Sequence, residues 1–236
     1  MFARSAAFYD ALYAWKDYAG EVRRLHALIS QHKRSAGRAL LDVACGTGNH
    51  ITFLREHYTV EGLDLDPTLL ATARQKYPDI VLHHADMIDF DLGRRFDVVV
   101  CLFSSIGYVK TLPALRQALQ TMTRHLHAGG LLILEPWLTP EVYQVGSLHA
   151  LFVDRPALKI ARMNVSAVED GASVFDFHYL VGTPGGIEHF TERHKLCLFT
   201  HDEYLEAMRG CGLEVLYDRE GLMGRGLYIG IRPVGD

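Results

Sequence analysis

The stretch L-L-D-V-A-C-G-T-G-N-H, Leu40 to His50, constrains this chain more than any other. An apolar run breaks into a turn carrying Gly46 and Gly48. Glycine lets the backbone turn sharply and admits a ligand where a Cβ would collide. The rest of the chain repeats this strand–turn–helix theme. Apolar strands are expected at 39–44, 59–63, 80–83, 96–102 and 131–134. The last part of the fourth, V-V-V-C-L, suits a strand buried on both faces. Between strands four and five, Leu115, Leu119, Met122 and Leu126 share one helical face, with a stop predicted at Gly129-Gly130. Upstream, Val22, Leu25, Leu28 and Ile29 predict a helix ending at Gly37. The alternation predicts an α/β fold with a doubly wound, mostly parallel, seven-stranded sheet.

The pattern changes after Trp137. Phe175, Phe177, Tyr179 and Val181 alternate with a mixed face, as in a strand. G-T-P-G-G at 182–186 reads as a turn, and 187–199 as the returning strand. Thr200 and Glu203 form a capping box for a helix carrying Leu205 and Met208, stopped by Gly210 and Gly212. Closing strands are expected at 213–217 and 227–231. The expected organisation is a helical cap (1–37), a ligand-binding α/β domain (38–137 and 200–236) and a small antiparallel β insert (138–199). The length of 236 residues agrees, exceeding a domain of about 150.

Composition narrows the partners. With 24 basic and 28 acidic residues the net charge is −4, and no Lys/Arg cluster offers a nucleic-acid face. No apolar run approaches a membrane span, and the first ten residues lack a signal-peptide core. A cytoplasmic protein is expected. The four cysteines show no metal-knuckle or disulfide spacing. The 13 histidines show no metal-ligand motif, and adjacent His83 and His84 point to opposite faces of a strand.

Three ligand classes use a turn like that at Gly46. A phosphate-cradling loop needs G-x-x-x-x-G-K, and the Lys is missing. A dinucleotide fingerprint needs a third glycine where this chain has Ile51. S-adenosylmethionine remains: it carries no phosphate, but needs polar groups for its amino-acid end and a carboxylate for its ribose. Asp64, 18 residues after Gly46, suits the ribose hydroxyls, while Asp66 before Pro67 suits a helix N-cap. Asp86 can accept the adenine amine, and the Met87 N–H can donate to a ring nitrogen. D-V-A-C-G-T-G resembles the first motif of class I methyltransferases.

The fourth strand ends in C-L-F-S-S-I-G-Y, without the N-P-P-Y-like motif that grips a planar amino group. Ser104, Ser105 and Tyr108 can instead bond a small polyhydroxylated acceptor. Glu135 and Trp137, in E-P-W, reach the same sheet edge. Y-D-A-L-Y and K-D-Y within Tyr9–Tyr18, F-S-S-I-G-Y, E-P-W, His189-Phe190 and G-R-G-L-Y at 224–228 together resemble the dTDP-aminosugar N,N-dimethyltransferases of the desosamine and mycaminose type. The resemblance implies S-adenosyl-L-methionine as cofactor, a nucleotide-linked amino sugar as substrate, two methylations of one amine, and a homodimer. Carried over by position, it implies that Tyr13 faces the amine, with Tyr108 as a second catalytic candidate. Arg225 would pair with substrate phosphate. Tyr18, Ala44, Leu65 and Leu102 would join Gly46, Gly48, Asp64, Asp86 and Met87 around the cofactor. The chain departs from the family in a shorter stretch between Tyr13 and Lys16, in Asn49 after G-T-G, and in Tyr108 where some relatives have His. A methyltransferase for another small amine, amino acid or hydroxyl is the alternative reading, and a non-catalytic S-adenosylmethionine-binding protein a third.

Overall fold

The computed structural model describes residues 4–234. The outermost residues of the expected cap and of the C-terminal boundary, with the first residues of the leader reading, lie outside the described residues. The helices are α1 (Tyr9–Leu12), α2 (Tyr18–His32), α3 (Ile51–Leu54), α4 (Pro67–Lys76), α5 (Leu112–Arg124) and α6 (His201–Gly210). The strands are β1 (Ala39–Val43), β2 (Thr59–Asp64), β3 (Val81–His84), β4 (Phe96–Cys101), β5 (Leu126–Leu134), β6 (Leu148–Arg155), β7 (Leu158–Glu169), β8 (Ala172–Thr183), β9 (Gly186–Cys197), β10 (Glu214–Asp218) and β11 (Leu227–Ile231).

Among the described residues, seven strands form one sheet in the order β10-β11-β5-β4-β1-β2-β3. The pairs from β5 through β3 are parallel, and β11 runs antiparallel to both β5 and β10. The chain moves outward from β1 through β2 to β3, then returns to β4 on the other side. That reversal opens a crevice beyond the strand ends, where ligands of such sheets bind. The expected α/β class is therefore the observed one. One sheet face packs Leu41, Val99 and Leu132 against Leu115, Leu119 and Met122 of α5 and Tyr204 and Met208 of α6. The other packs Leu40, Val98 and Leu131 against Val22, Leu25 and Ile29 of α2 and Ile51 and Leu54 of α3. Asp66 caps α4 by accepting the Thr68 and Leu69 N–H groups, and Thr200 with Glu203 forms the full capping box of α6.

Strands β6 to β9 form a separate antiparallel sheet. Its inner face, with Val153, Ile160, Tyr179, Val181 and Phe190, closes on Leu12 of α1. This packing ties the N-terminal segment to a sheet more than 130 residues later.

Two helix stops differ from expectation. α2 ends at His32, with Lys33 as its C-cap, rather than at Gly37. Gly37 instead donates its N–H to Asp97 at 3.1 Å, and an added Cβ would fall 2.3 Å from that carboxylate. Likewise α5 stops at Arg124, and Leu126 with Gly129-Gly130 belongs to β5. The Gly129 carbonyl accepts the N–H groups of Arg34 and Ser35 at 2.8 and 3.0 Å. Both glycines serve the close approach of a neighbouring segment rather than a helix terminus.

Candidate active site

A cavity of about 690 Å³ occupies the crevice, between the ends of β1, β2 and β3 and the turn after β4. Ala44, Gly46, Asp64, Leu65, Asp86, Met87, Ser105 and Tyr108 line it, as does Tyr9. The backbone leaves β1 with positive φ at Ala44 (61°) and Gly46 (57°). At Gly46 a Cβ would meet no protein atom nearer than 4.0 Å, so the glycine leaves room on the cavity side. Gly48 plays another part. Its Cβ would lie 2.7 Å from the Tyr77 ring, and it does not line the cavity. It admits the Tyr77 ring.

Asp64 braces the site. One carboxylate oxygen accepts the Gly46 N–H at 2.7 Å and the other the Asp66 N–H at 2.8 Å. The Leu65 N–H also bonds this carboxylate, which has about four acceptor sites in all. Burial raises its pKa against those hydrogen bonds. Asp86 accepts the Ile88 N–H at 2.9 Å, which shapes the turn presenting Met87. Three carboxylates line the cavity, from Asp64, Asp66 and Asp86, beside one cation, Lys110. That charge pattern disfavours a pyrophosphate and suits a nucleoside with a cationic centre. The open face of Gly46 and the two acids at the ends of β2 and β3 fit S-adenosylmethionine.

Tyr9 was not singled out from sequence, although it sits in the Y-D-A-L-Y motif. Asp10 beside it accepts the Thr47 hydroxyl at 2.6 Å and pairs with Lys76. Burial works against the ionised form, but Lys76 and Thr47 hold the Asp10 carboxyl below its usual range. These bonds pin α1 over the glycine turn.

The acceptor side is built differently. Phe103 (φ 52°) and Ser104 (φ 61°) are consecutive non-glycine residues in the left-handed region, which costs about 1–3 kcal/mol each. Glu135 holds them by accepting the Phe103 N–H at 2.6 Å. Ser104 donates its hydroxyl to the Pro136 carbonyl at 2.7 Å and accepts Arg225 Nη1 at 2.9 Å. Ser104 and Glu135, both expected on the substrate side, are turned into the protein. Glu135 is 0% and Ser104 1% exposed, and neither lines the cavity. They fix the loop that presents Ser105 and Tyr108. Burial pushes the Glu135 pKa up, offset by the Phe103 N–H, Lys16 and Arg225.

Trp137 donates its indole N–H to Ser173 at 2.8 Å and carries the Arg225 guanidinium 4.9 Å above its ring. It joins the two sheets. Arg225 is thereby anchored rather than left on a free loop; burial lowers its pKa, and Glu135 opposes that shift. Leu102 is a core residue, 3% exposed, and does not line the cavity. Tyr18 also lies outside the lining. Its hydroxyl accepts Asn49 Nδ2 at 3.3 Å, and burial pushes its pKa up to about 12.

Tyr13 meets Tyr9 at 4.7 Å and the edge of Phe103 at 5.2 Å between ring centres. Its hydroxyl accepts Arg162 Nη1 at 3.2 Å. Arg162 itself lies over the rings of Tyr13 and Phe177. Tyr108 meets His194 Nδ1 at 2.7 Å, and its phenol pKa is raised well above 10 by burial and by Tyr13 and Tyr179 nearby. Sequence reasoning missed Arg162 and His194. A strand register would have flagged them, since each puts a polar group on the apolar inner face of the second sheet.

Residues 40–130 match the family described as a methyltransferase domain. A dTDP-3-amino-3,6-dideoxy-alpha-D-glucopyranose N,N-dimethyltransferase of Streptomyces fradiae is 42% identical over 230 residues, covering 96% of this chain and 90% of that one. The chain belongs to the aminosugar N,N-dimethyltransferase family. This methyltransferase superposes on the crystal structure of Streptomyces venezuelae DesVI with a TM-score of 0.91 and 40% identity, over 97% of this chain and 98% of that one. It matches SAM-bound CalS10, an amino pentose methyltransferase from Micromonospora echinaspora, with a TM-score of 0.86 and 36% identity over 96% and 95% of the two chains. The cofactor of this methyltransferase is S-adenosyl-L-methionine.

Proposed function

We propose that this methyltransferase adds two methyl groups to the one amine of a dTDP-linked amino-deoxysugar. The observation that carries the proposal is the 42% identity to such an enzyme over nearly the whole chain. The acceptor-side geometry supports it, with Tyr108 lining the cavity, Tyr13 packed on the lining residue Tyr9, and Arg225 anchored by Ser104 and Trp137. When bound, the cofactor supplies an electrophilic methyl carbon on a sulfonium. Asp64 would hold its ribose, Asp86 and Met87 its adenine, and Tyr18 its methionine end. Tyr13 and Tyr108 would orient the amine, which must be neutral to attack. Ser105 and Trp137 would border the sugar, and Arg225 would pair with its phosphates. Most of the rate gain comes from proximity and orientation, without one essential base.

The regions share the work: the cap (1–37) brings Tyr13 and Tyr18, the α/β domain (38–137 and 200–236) brings the cofactor acids with Ser105, Tyr108, Trp137 and Arg225, and the β insert (138–199) completes the substrate side through Arg162 beside Tyr13. The outward face of the insert supports a homodimer. Leu148, Phe152, Met163, Val165, Leu180 and Ile187 are all exposed there, and such a patch marks an interaction surface. Replacing Phe152 and Ile187 together by Asp is expected to give a monomer by light scattering that still binds cofactor. The net charge of −4 supports a small-molecule partner over nucleic acid. No helix among the described residues is long and apolar enough to cross a membrane. A doubly charged phosphate substrate crosses no membrane unaided, which supports a cytoplasmic reaction.

Turnover with labelled cofactor against dTDP-amino sugars and simple amines tests the proposal. A dimethylated sugar nucleotide by mass spectrometry, with competition by thymidine diphosphate, is expected. Turnover of simple amines alone, indifferent to thymidine diphosphate, would show that the acceptor is another amine.

A further inference from the structure

We infer that His194 is a positioning residue which, by accepting the Tyr108 O–H, turns the lone pairs of the Tyr108 oxygen toward the acceptor amine and governs the second methylation. The inference rests on the dimethyltransferase reading above and extends it to a residue outside the cavity lining.

His194 lies on β9, 2% exposed, with its ring against Phe177. Nδ1 is 2.7 Å from the Tyr108 hydroxyl, and Nε2 is 4.0 Å from a Glu192 carboxylate oxygen. Glu192 is fixed in turn: it accepts the Ser5 N–H at 2.9 Å, the Ser5 hydroxyl and the Arg4 N–H. At that distance Glu192 makes no hydrogen bond to Nε2 and acts through its charge alone. A negative charge favours the proton on the ring nitrogen that faces it. Nδ1 is then an acceptor, and Tyr108 must donate to it. The opposite tautomer would aim a nitrogen lone pair at an anion. Burial lowers the His194 pKa to about 4, against the pull of Glu192 and with Arg162 acting in the same direction as burial. The imidazole therefore stays neutral through the working pH range.

With its proton committed to His194, the Tyr108 oxygen can only accept from the cavity side. A neutral primary amine has two N–H groups and several ways to be held. A neutral secondary amine has one. If Tyr108 accepts that one, the nitrogen lone pair is left free for the incoming methyl. A neutral tertiary amine has none, so the hold ends after two additions. Each cycle forms one N–C bond as one C–S bond breaks, and the sulfonium charge passes to nitrogen. The ammonium then gives one proton to water before the next attack. Tyr13 is less suited to this hold because its hydroxyl already accepts from Arg162.

Four variants test it: His194→Leu, His194→Asn, Tyr108→Phe, and His194→Leu with Tyr108→Phe. Loss of one orienting hydrogen bond is worth about tenfold. His194→Leu is expected to slow the second methylation about tenfold, with monomethylated product accumulating. The first methylation, KM and cofactor affinity by calorimetry should stay within about threefold. Asn, whose carbonyl oxygen can replace Nδ1, should restore the second step. In the Tyr108→Phe background the His194→Leu change should add nothing. Nitrogen NMR of the cofactor-free protein gives a readout that needs no turnover. It should show His194 protonated on Nε2 alone, with Nδ1 shifting when Tyr108 becomes Phe. This measurement also decides the matter if His194→Leu fails to fold. A proton on Nδ1, an unchanged product ratio in a folded His194→Leu variant, or additive losses in the double variant would overturn the positioning role. Absence of any dimethylated sugar from the unaltered enzyme would instead defeat the functional reading, and the positioning role with it.

Discussion

The cofactor side and the acceptor side of Tyr108 are assembled by opposite rules. The cavity takes all its lining except Tyr9 from one span of chain, Ala44 to Ala114. Successive parallel strands end at one edge, so each contributes its next residue by construction. The acceptor side gathers Tyr13, Arg162, His194 and Arg225 through contacts between segments far apart in sequence. The first is a property of the sheet. The second depends on the antiparallel sheet folding back onto α1. Damage to one side should therefore leave the other working, and that is where the comparison can be broken.

The largest effect is expected from Asp64→Ala. It removes the acceptor that braces Gly46 and Asp66 as well as the proposed ribose contact. Cofactor affinity should fall about 100-fold or more, while thymidine diphosphate affinity changes little; calorimetry with each ligand reads both. Equal losses would mean that the two sides are one cooperative unit. Arg225→Ala should do the converse. The KM for the nucleotide sugar should rise about 20-fold, as for loss of a charge-assisted contact, with cofactor affinity retained. An unchanged KM would leave Arg225 as a brace for Ser104 alone.

Asp42 sharpens the comparison through stability. Its carboxyl lies beneath the glycine turn, 2% exposed, and burial, with Asp64 nearby, pushes its pKa up to about 8 from 3.8. The folded chain then keeps a proton that the unfolded chain releases. Stability from this group is present below about pH 4 and is lost as pH rises toward 8. Asp42→Asn is expected to melt about 5 °C higher at pH 8 without cofactor, with the gain fading toward pH 4. A gain of equal size at both pH values would assign it to something other than ionisation. The smallest effect is expected from Tyr13→Phe, about a threefold loss of turnover, if orientation rather than base catalysis dominates. A loss of several orders of magnitude would make Tyr13 a general base and the acceptor side far less tolerant than proposed.

How much was legible follows the same division. Asp66 before Pro67, and Thr200 with Glu203, announced their helix starts because a cap is satisfied within four residues. The helix stops at Gly37 and Gly129 were misplaced because those glycines answer to Asp97 and to the Arg34–Ser35 backbone, which no local window contains. Asp64 and Asp86 could be placed at the cavity from strand endings alone. Ser104 and Glu135 stood at the right edge, but nothing local told that Glu135 would turn inward to hold Phe103.

Period, punctuation and one glycine turn determined the strand order's raw material, the cofactor's class and the acids that would meet it, since each depends on neighbours in the chain. Only the tertiary structure decided which tyrosine meets which partner. Tyr108 and His194 stand 86 residues apart, and their hydrogen bond exists because a second sheet, closed over α1 by apolar packing, carries His194 to the end of β4. Apolar packing is directed by burial rather than by sequence distance, so no spacing in the chain could have announced that meeting.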